Sequence, residues 1–122
     1  TGFDAITHHA DTGGLYTKIG RVVHFQANIR ISALTAGSAS GNIKVTGIPF
    51  TPANVTVEGD MGFFVSYASG FAGEHPLILH GERNTVIMTL YYRASATAAV
   101  SATQVADIDG GFMFNFHGSF VV

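Results

Sequence analysis

Residues 14–32, GLYTKIGRVVHFQANIRIS, decide the fold of this chain. Val23, Phe25, Ala27, Ile29 and Ile31 are apolar, and His24, Gln26, Asn28 and Arg30 between them are polar. A period of two is that of a strand with one face buried and the other wet. Gly20-Arg21 supplies a tight reversal into this strand from a shorter one over Leu15–Ile19, because glycine takes positive φ without strain. After a flexible run of small residues from Thr35 to Gly41, the segment SGNIKVTGIPF (Ser40–Phe50) adds a short strand over Asn42–Thr46. Pro49 ends it, since proline cannot donate to a ladder and holds Ile48 in extended geometry.

The same reading extends in both directions. Phe3–His8 is expected as a first strand and Asp11–Gly14 as its turn. Met61–Ala68 is a fuller apolar strand, Gly70–Pro76 a loop and Leu77–Glu82 a strand. Arg83-Asn84 turns the chain into Thr85–Arg93. Ala94–Ala106 is rich in Ala, Ser and Thr, and its Thr97, Val100, Thr103 and Val105 argue against a helix, so a loop with a short strand is expected. Asp107–Gly111 reads as a turn, after which Phe112, Phe114, Phe116 and Phe120 line one face of the last strand. Fifteen glycines and three prolines punctuate eight to ten short strands. The expected fold class is all-β, an antiparallel sandwich with little or no helix.

A length of 122 residues makes one domain. Charged residues are only 11% of the chain, far below the usual quarter, so part of the surface is expected to be covered by other subunits or wetted by Ser, Thr, Asn and Gly. Consecutive apolar residues point the same way. Phe63, Phe64 and Val65 follow one another, and Ile87, Leu90 and Tyr91 interleave with Val86, Met88 and Tyr92. Strands of this kind are covered on both faces, and in one small domain a subunit interface is the natural second cover. A central sandwich strand gives the same pattern. A net charge of −2 lacks the basic footprint of a nucleic-acid binder, and no apolar run approaches a membrane span. Without cysteine there is no thiolate or disulfide chemistry. The opening Thr1-Gly2-Phe3 reads as the start of a domain taken from a longer chain.

Motifs for catalysis are weak. Gly-x-Ser-x-Gly is absent, and Asp60 with Glu74 or Glu82 is a carboxylate pairing that nothing in the sequence promotes. Asp107-Ile108-Asp109-Gly110-Gly111 resembles a calcium-loop opening but lacks the later ligands. The six histidines (His8, His9, His24, His75, His80, His117) show no HxH or HxxxH spacing. His24 or His117 can make a metal site only by meeting copies of itself on a three-fold axis. No enzyme activity, metal or cofactor is therefore expected. For sugar recognition, aromatic faces and planar polar groups in loops are the useful residues. They are Tyr67, Phe71, Glu74, His75, Arg83, Asn84, Tyr91 and Arg93, with Ser66–Pro76 as the leading contact loop.

Tyr16–Ile29 (YTKIGRVVHFQANI), Ser40–Phe50 and the ending Phe114-Asn115-Phe116-His117-Gly118-Ser119-Phe120 together resemble the C-terminal domains of bacteriophage tail fibres and tailspikes. In those domains a G-x-Y-T-K-I-G hairpin precedes a long strand, a segment ending G-(L/I)-P-F and an F-x-F-x-x-x-G-x-(Y/F) terminus. Phe120 stands here where Tyr is common. The resemblance implies that residues 1–122 are one jelly-roll-like β-sandwich forming a homotrimer at the distal tip of a virion fibre, outside the cell. There it would contact bacterial surface polysaccharide or lipopolysaccharide. A trimerisation and folding cap that binds nothing is the alternative, and a trimeric adhesion module of the C1q/TNF kind a further one.

Overall fold

The computed structural model describes residues 2–56, 60–72 and 75–122, with the side chain of Asp109 outside the description. They form an all-β, antiparallel, curled sheet. The strands are β1 (Ala5–His8), β2 (Gly13–Ile19), β3 (Val22–Thr35), β4 (Lys44–Val45), β5 (Met61–Phe71), β6 (Pro76–Gly81), β7 (Met88–Tyr92), β8 (Ser101–Ala102) and β9 (Ile108–Val121). One 3₁₀ turn, Val105–Asp107, is the only helical element among the described residues. The strand order is β1-β3-β9-β5-β6-β7-β4; β2 takes the same free edge of β3 farther along, and β8 joins β7.

Long-range pairing runs in straight rows across the strands, and each row belongs to one face. Tyr16, Phe25, Gly118, Phe63, Leu79 and Leu90 are successive cross-strand partners from β2 to β7. This is the inner face. Val23 faces Phe120, Ala27 faces Phe116 and then Val65, and Ile31 faces Phe112. The alternation in β3 therefore behaves as its sequence requires, with Val23 and Ile31 buried and Phe25, Ala27 and Ile29 packed against the core. Phe112, Phe114, Phe116 and Phe120 are all buried. Gly118 interrupts that aromatic file for a steric reason. An added Cβ would lie 2.8 Å from the Gly62 carbonyl and 2.9 Å from Phe63 Cδ1, and in the space left free Phe25 and Phe63 meet edge to face at 6.1 Å.

The curl closes through the segment after β4. β4 lies at the β7 margin, yet Phe50 packs edge-on against Tyr16 of β2, at the opposite side of the sheet, with centroids 5.3 Å apart. Ile48 is buried, the Ala53 amide donates to the Val121 carbonyl at 2.8 Å, and the Asn84 amide donates to the Pro52 carbonyl at 3.3 Å. The strand break at Pro49 thus carries the chain across the opening of the core.

Several boundaries differ from the sequence reading. Asp107–Gly111 is not a turn. The reversal is made earlier, by the 3₁₀ turn, in which the Gln104 amide donates to Asp107 Oδ2 at 2.7 Å, and β9 begins at Ile108. Asp107 is therefore a capping residue. The strand expected over Met61–Ala68 is present and runs on to Phe71, so the first half of the contact loop expected over Ser66–Pro76 is strand: after a bulge between Val65 and Tyr67, Tyr67, Ala68 and Ser69 go on pairing with Asn115, Phe114 and Met113. Gly70, at φ 80°, allows a second irregularity that brings Phe71 against Ile108. Pro76 is already paired, with Tyr92.

Candidate functional site

The sequence-selected residues separate into three places. At one end of the β6–β7 hairpin, Arg83 and Asn84 form the turn, where Asn84 adopts φ 56°, a left-handed geometry that Asn tolerates better than most residues. The turn is pinned from both sides, by the Arg83 amide donating to Asp60 Oδ1 at 3.2 Å and by the Asn84–Pro52 hydrogen bond. Asn54, Asp60, His80, Glu82, Arg83 and Asn84 line an open hollow of about 470 Å³. It presents amide, carboxylate, imidazole and guanidinium groups side by side, a set that both donates to and accepts from hydroxyls.

At the other end of the hairpin, Pro76 pairs with Tyr92, which places His75 and Arg93 at adjoining positions. Both are exposed. Strands of this length span about 20 Å, so these two do not share a site with Arg83 and Asn84. Glu74 lies outside the described residues.

The remaining three are strand residues. Phe71 is 8% exposed and packs against Phe112 and Phe114 at 5.5 and 6.4 Å, so it belongs to the core. Tyr91 is half-buried and edge-on to His80 at 6.3 Å. Tyr67 is exposed, opposite Asn115.

Tyr67 and Tyr91 belong to the outer face of the sheet, which the loop-centred reading of the sequence overlooked. Its central row is Leu15, Gln26, His117, Phe64, Ile78 and Tyr91, one residue from each strand from β2 to β7. A second row runs through Thr17, His24, Ser119, Gly62, His80, Thr89 and Lys44, and a third through Gly13, Asn28, Asn115 and Tyr67. Phe64 is edge-on to His117 at 5.6 Å. Two shallow hollows, of about 500 and 580 Å³, lie on this face and share Leu15, Gln26 and His117. Two side-chain oxygens in the third row, Asn28 Oδ1 and Asn115 Oδ1, are buried without a hydrogen-bond partner among the described residues. The signal for this face lies in the polar half of the β3 alternation, His24, Gln26 and Asn28.

Asn28 is held by the link between β1 and β2. Its Nδ2 donates to the Asp11 carbonyl at 2.9 Å, Arg30 Nη1 meets Asp11 Oδ2 at 3.1 Å, and Thr12 Oγ1 donates to the Arg30 carbonyl at 2.8 Å. Among the described residues no group of three or more His, Asp or Glu side chains is arranged to hold a metal ion, and no helix is long and apolar enough to cross a membrane. No protein-family model matches the chain, and neither a curated protein nor a solved structure matches it.

Proposed function

We propose that this chain is the homotrimeric tip domain of a bacteriophage tail fibre or tailspike. In this reading it is a jelly-roll-like sandwich that works outside the cell, at the distal end of the virion, and binds bacterial surface polysaccharide or lipopolysaccharide without catalysis. One observation carries the oligomeric half of this reading. Twelve large hydrophobic side chains stand exposed among the described residues, in a chain of which only 11% is charged. Such a surface fits a protein that meets copies of itself. The family half rests on the motif strings, and their packing supports treating them as a unit: Tyr16 and Lys18, from the first string, both contact Phe50, from the second.

Host contact falls on the hairpin-end hollow around Arg83 and Asn84. Three such sites on one rigid tip gain avidity through effective concentration even when each is weak. The test is the mass in solution, expected at three times 12.8 kDa, followed by adsorption of the assembly to bacterial cells and to their purified polysaccharide. A monomer would remove the proposal. A trimer that binds no cell surface would leave the folding-cap reading in its place.

A further inference from the structure

We infer that the hairpin-end hollow continues along the outer surface of the β6–β7 hairpin as one groove, and that this groove takes a neutral, hydroxyl-rich oligosaccharide. The inference rests on the host-contact reading above and names the ligand class of that site.

Continuity comes first. A second hollow, of about 210 Å³, lies beside the first and shares His80 and Glu82 with it. Lys44, Thr85, Ile87, Thr89 and Tyr91 also line it. Register explains why these residues meet. His80 stands opposite Thr89, and Thr89 opposite Lys44 on β4. Tyr91, two residues along β7 from Thr89, shares that face and sets its ring edge-on to His80 at 6.3 Å. On its other flank His80 faces Gly62, where an added Cβ would meet nothing within 4 Å, so the groove is open at that point. From Ile78, the partner of Tyr91, to Arg83 the chain rises about 15 Å, which is more than one sugar ring occupies.

The charged groups of the groove are balanced and uncommitted. Lys44 and Arg83 are matched by Asp60 and Glu82. Among the described residues the side chains of Lys44, Glu82 and Arg83 make no hydrogen bond or salt bridge, and Asp60 uses one oxygen to accept from the Arg83 amide. Asp11 and Arg30, by contrast, are paired with each other. An anionic ligand would meet two carboxylates in the groove, and a cationic one an ammonium and a guanidinium. A hydroxyl donates to the first pair and accepts from the second, and hydrogen bonds to charged groups are the stronger kind. Tyr91 and Ile87 offer apolar surface to the C–H faces of sugar rings. A ligand rich in hydroxyls and without net charge uses all of these groups at once.

The test is an array of purified bacterial surface polysaccharides, neutral and anionic, probed with the labelled full chain as it assembles in solution. Binding to neutral members is expected, changing less than about twofold between about 50 and 500 mM NaCl, because the ligand carries no charge to be screened. Lys44→Ala, at an exposed position, should weaken that binding about tenfold or more, the scale of a lost hydrogen bond to a charged group. Tyr91→Ala should weaken it in the same direction, and if that variant does not fold, Lys44→Ala decides. Arg83→Ala reports on the hairpin-end hollow separately. Neutral-polysaccharide binding that Arg83→Ala abolishes and Lys44→Ala leaves unchanged confines the site to that hollow and overturns the groove, with the host-contact reading standing. Binding to anionic members alone overturns the neutral ligand and also leaves that reading standing. A chain that binds no member of the array overturns both.

Discussion

Phe50 and Tyr16 pack edge to face at 5.3 Å and 86°, although Phe50 follows a strand at the β7 margin and Tyr16 lies on β2, at the other side of the sheet. Lys18 Nζ adds a second contact, 5.1 Å from the centre of the Phe50 ring. Tyr16 and Lys18 are two apart on one strand, so both side chains point the same way, and Phe50 receives both. Phe50→Ala should therefore cost about 2 kcal/mol, less than the roughly 3–5 kcal/mol of a fully buried Phe because this one is half-buried. Lys18→Met removes only the cation–π part, about 0.5–1 kcal/mol. Urea unfolding of the two variants gives the comparison, and equal losses would show that the ring contact with Tyr16 contributes little.

Gly118 permits the meeting of Phe25 and Phe63. Gly118→Ala should destabilise by about 1–3 kcal/mol, as overpacking does, because the nearest atom to the new methyl is a backbone carbonyl, which does not rotate away. Combining it with Phe63→Leu should recover part of the loss, since the second close atom is Phe63 Cδ1. Without such recovery in a double-mutant cycle, the carbonyl alone accounts for the strain.

What the sequence revealed and what it concealed follow from the same physics. Period-two alternation in Val23–Ile31 and the phenylalanine file from Phe112 to Phe120 report burial on one face, and both are in the core. Loops inferred from small residues were less secure. Met61–Ala68 reads as a strand and Gly70–Pro76 as a loop, yet pairing with β9 carries the strand on to Phe71 through two irregularities, into the stretch expected as a contact loop. Phe71, expected among the ligand-stacking aromatics, is in the core instead. Asp107–Gly111 failed similarly, because one carboxylate capping a 3₁₀ turn has no local signature distinct from a turn acid. The outer face was legible residue by residue in His24, Gln26 and Asn28, but its continuity depends on cross-strand register, which no single strand records.

Asn84 occupies a backbone geometry that other side chains resist. Asn84→Gly should be neutral or slightly stabilising, because Gly takes φ 56° without a Cβ penalty. Asn84→Ala should lose about 1 kcal/mol. Opposite signs in thermal unfolding at matched protein concentration would establish that the turn selects Asn for its backbone. Equal losses from both substitutions would show that the Asn84 side chain itself stabilises the turn.

If the hairpin-end hollow is the host contact proposed above, Arg83 separates binding from stability. Its backbone amide is used by Asp60, and Arg83→Ala keeps that amide while removing an exposed guanidinium from the hairpin-end hollow. Stability should stay within about 0.5 kcal/mol, as for surface substitutions in general, and oligomeric mass should not change. Adsorption to host cells should fall at least tenfold, equivalent to about 1.4 kcal/mol or more, and Arg83→Lys should recover little of it, because an ammonium does not reproduce the planar fork. A parallel His75→Ala variant reports on the opposite end of the same hairpin. Loss of adsorption there, with Arg83→Ala unaffected, would move the host contact to the end that holds His75 and Arg93.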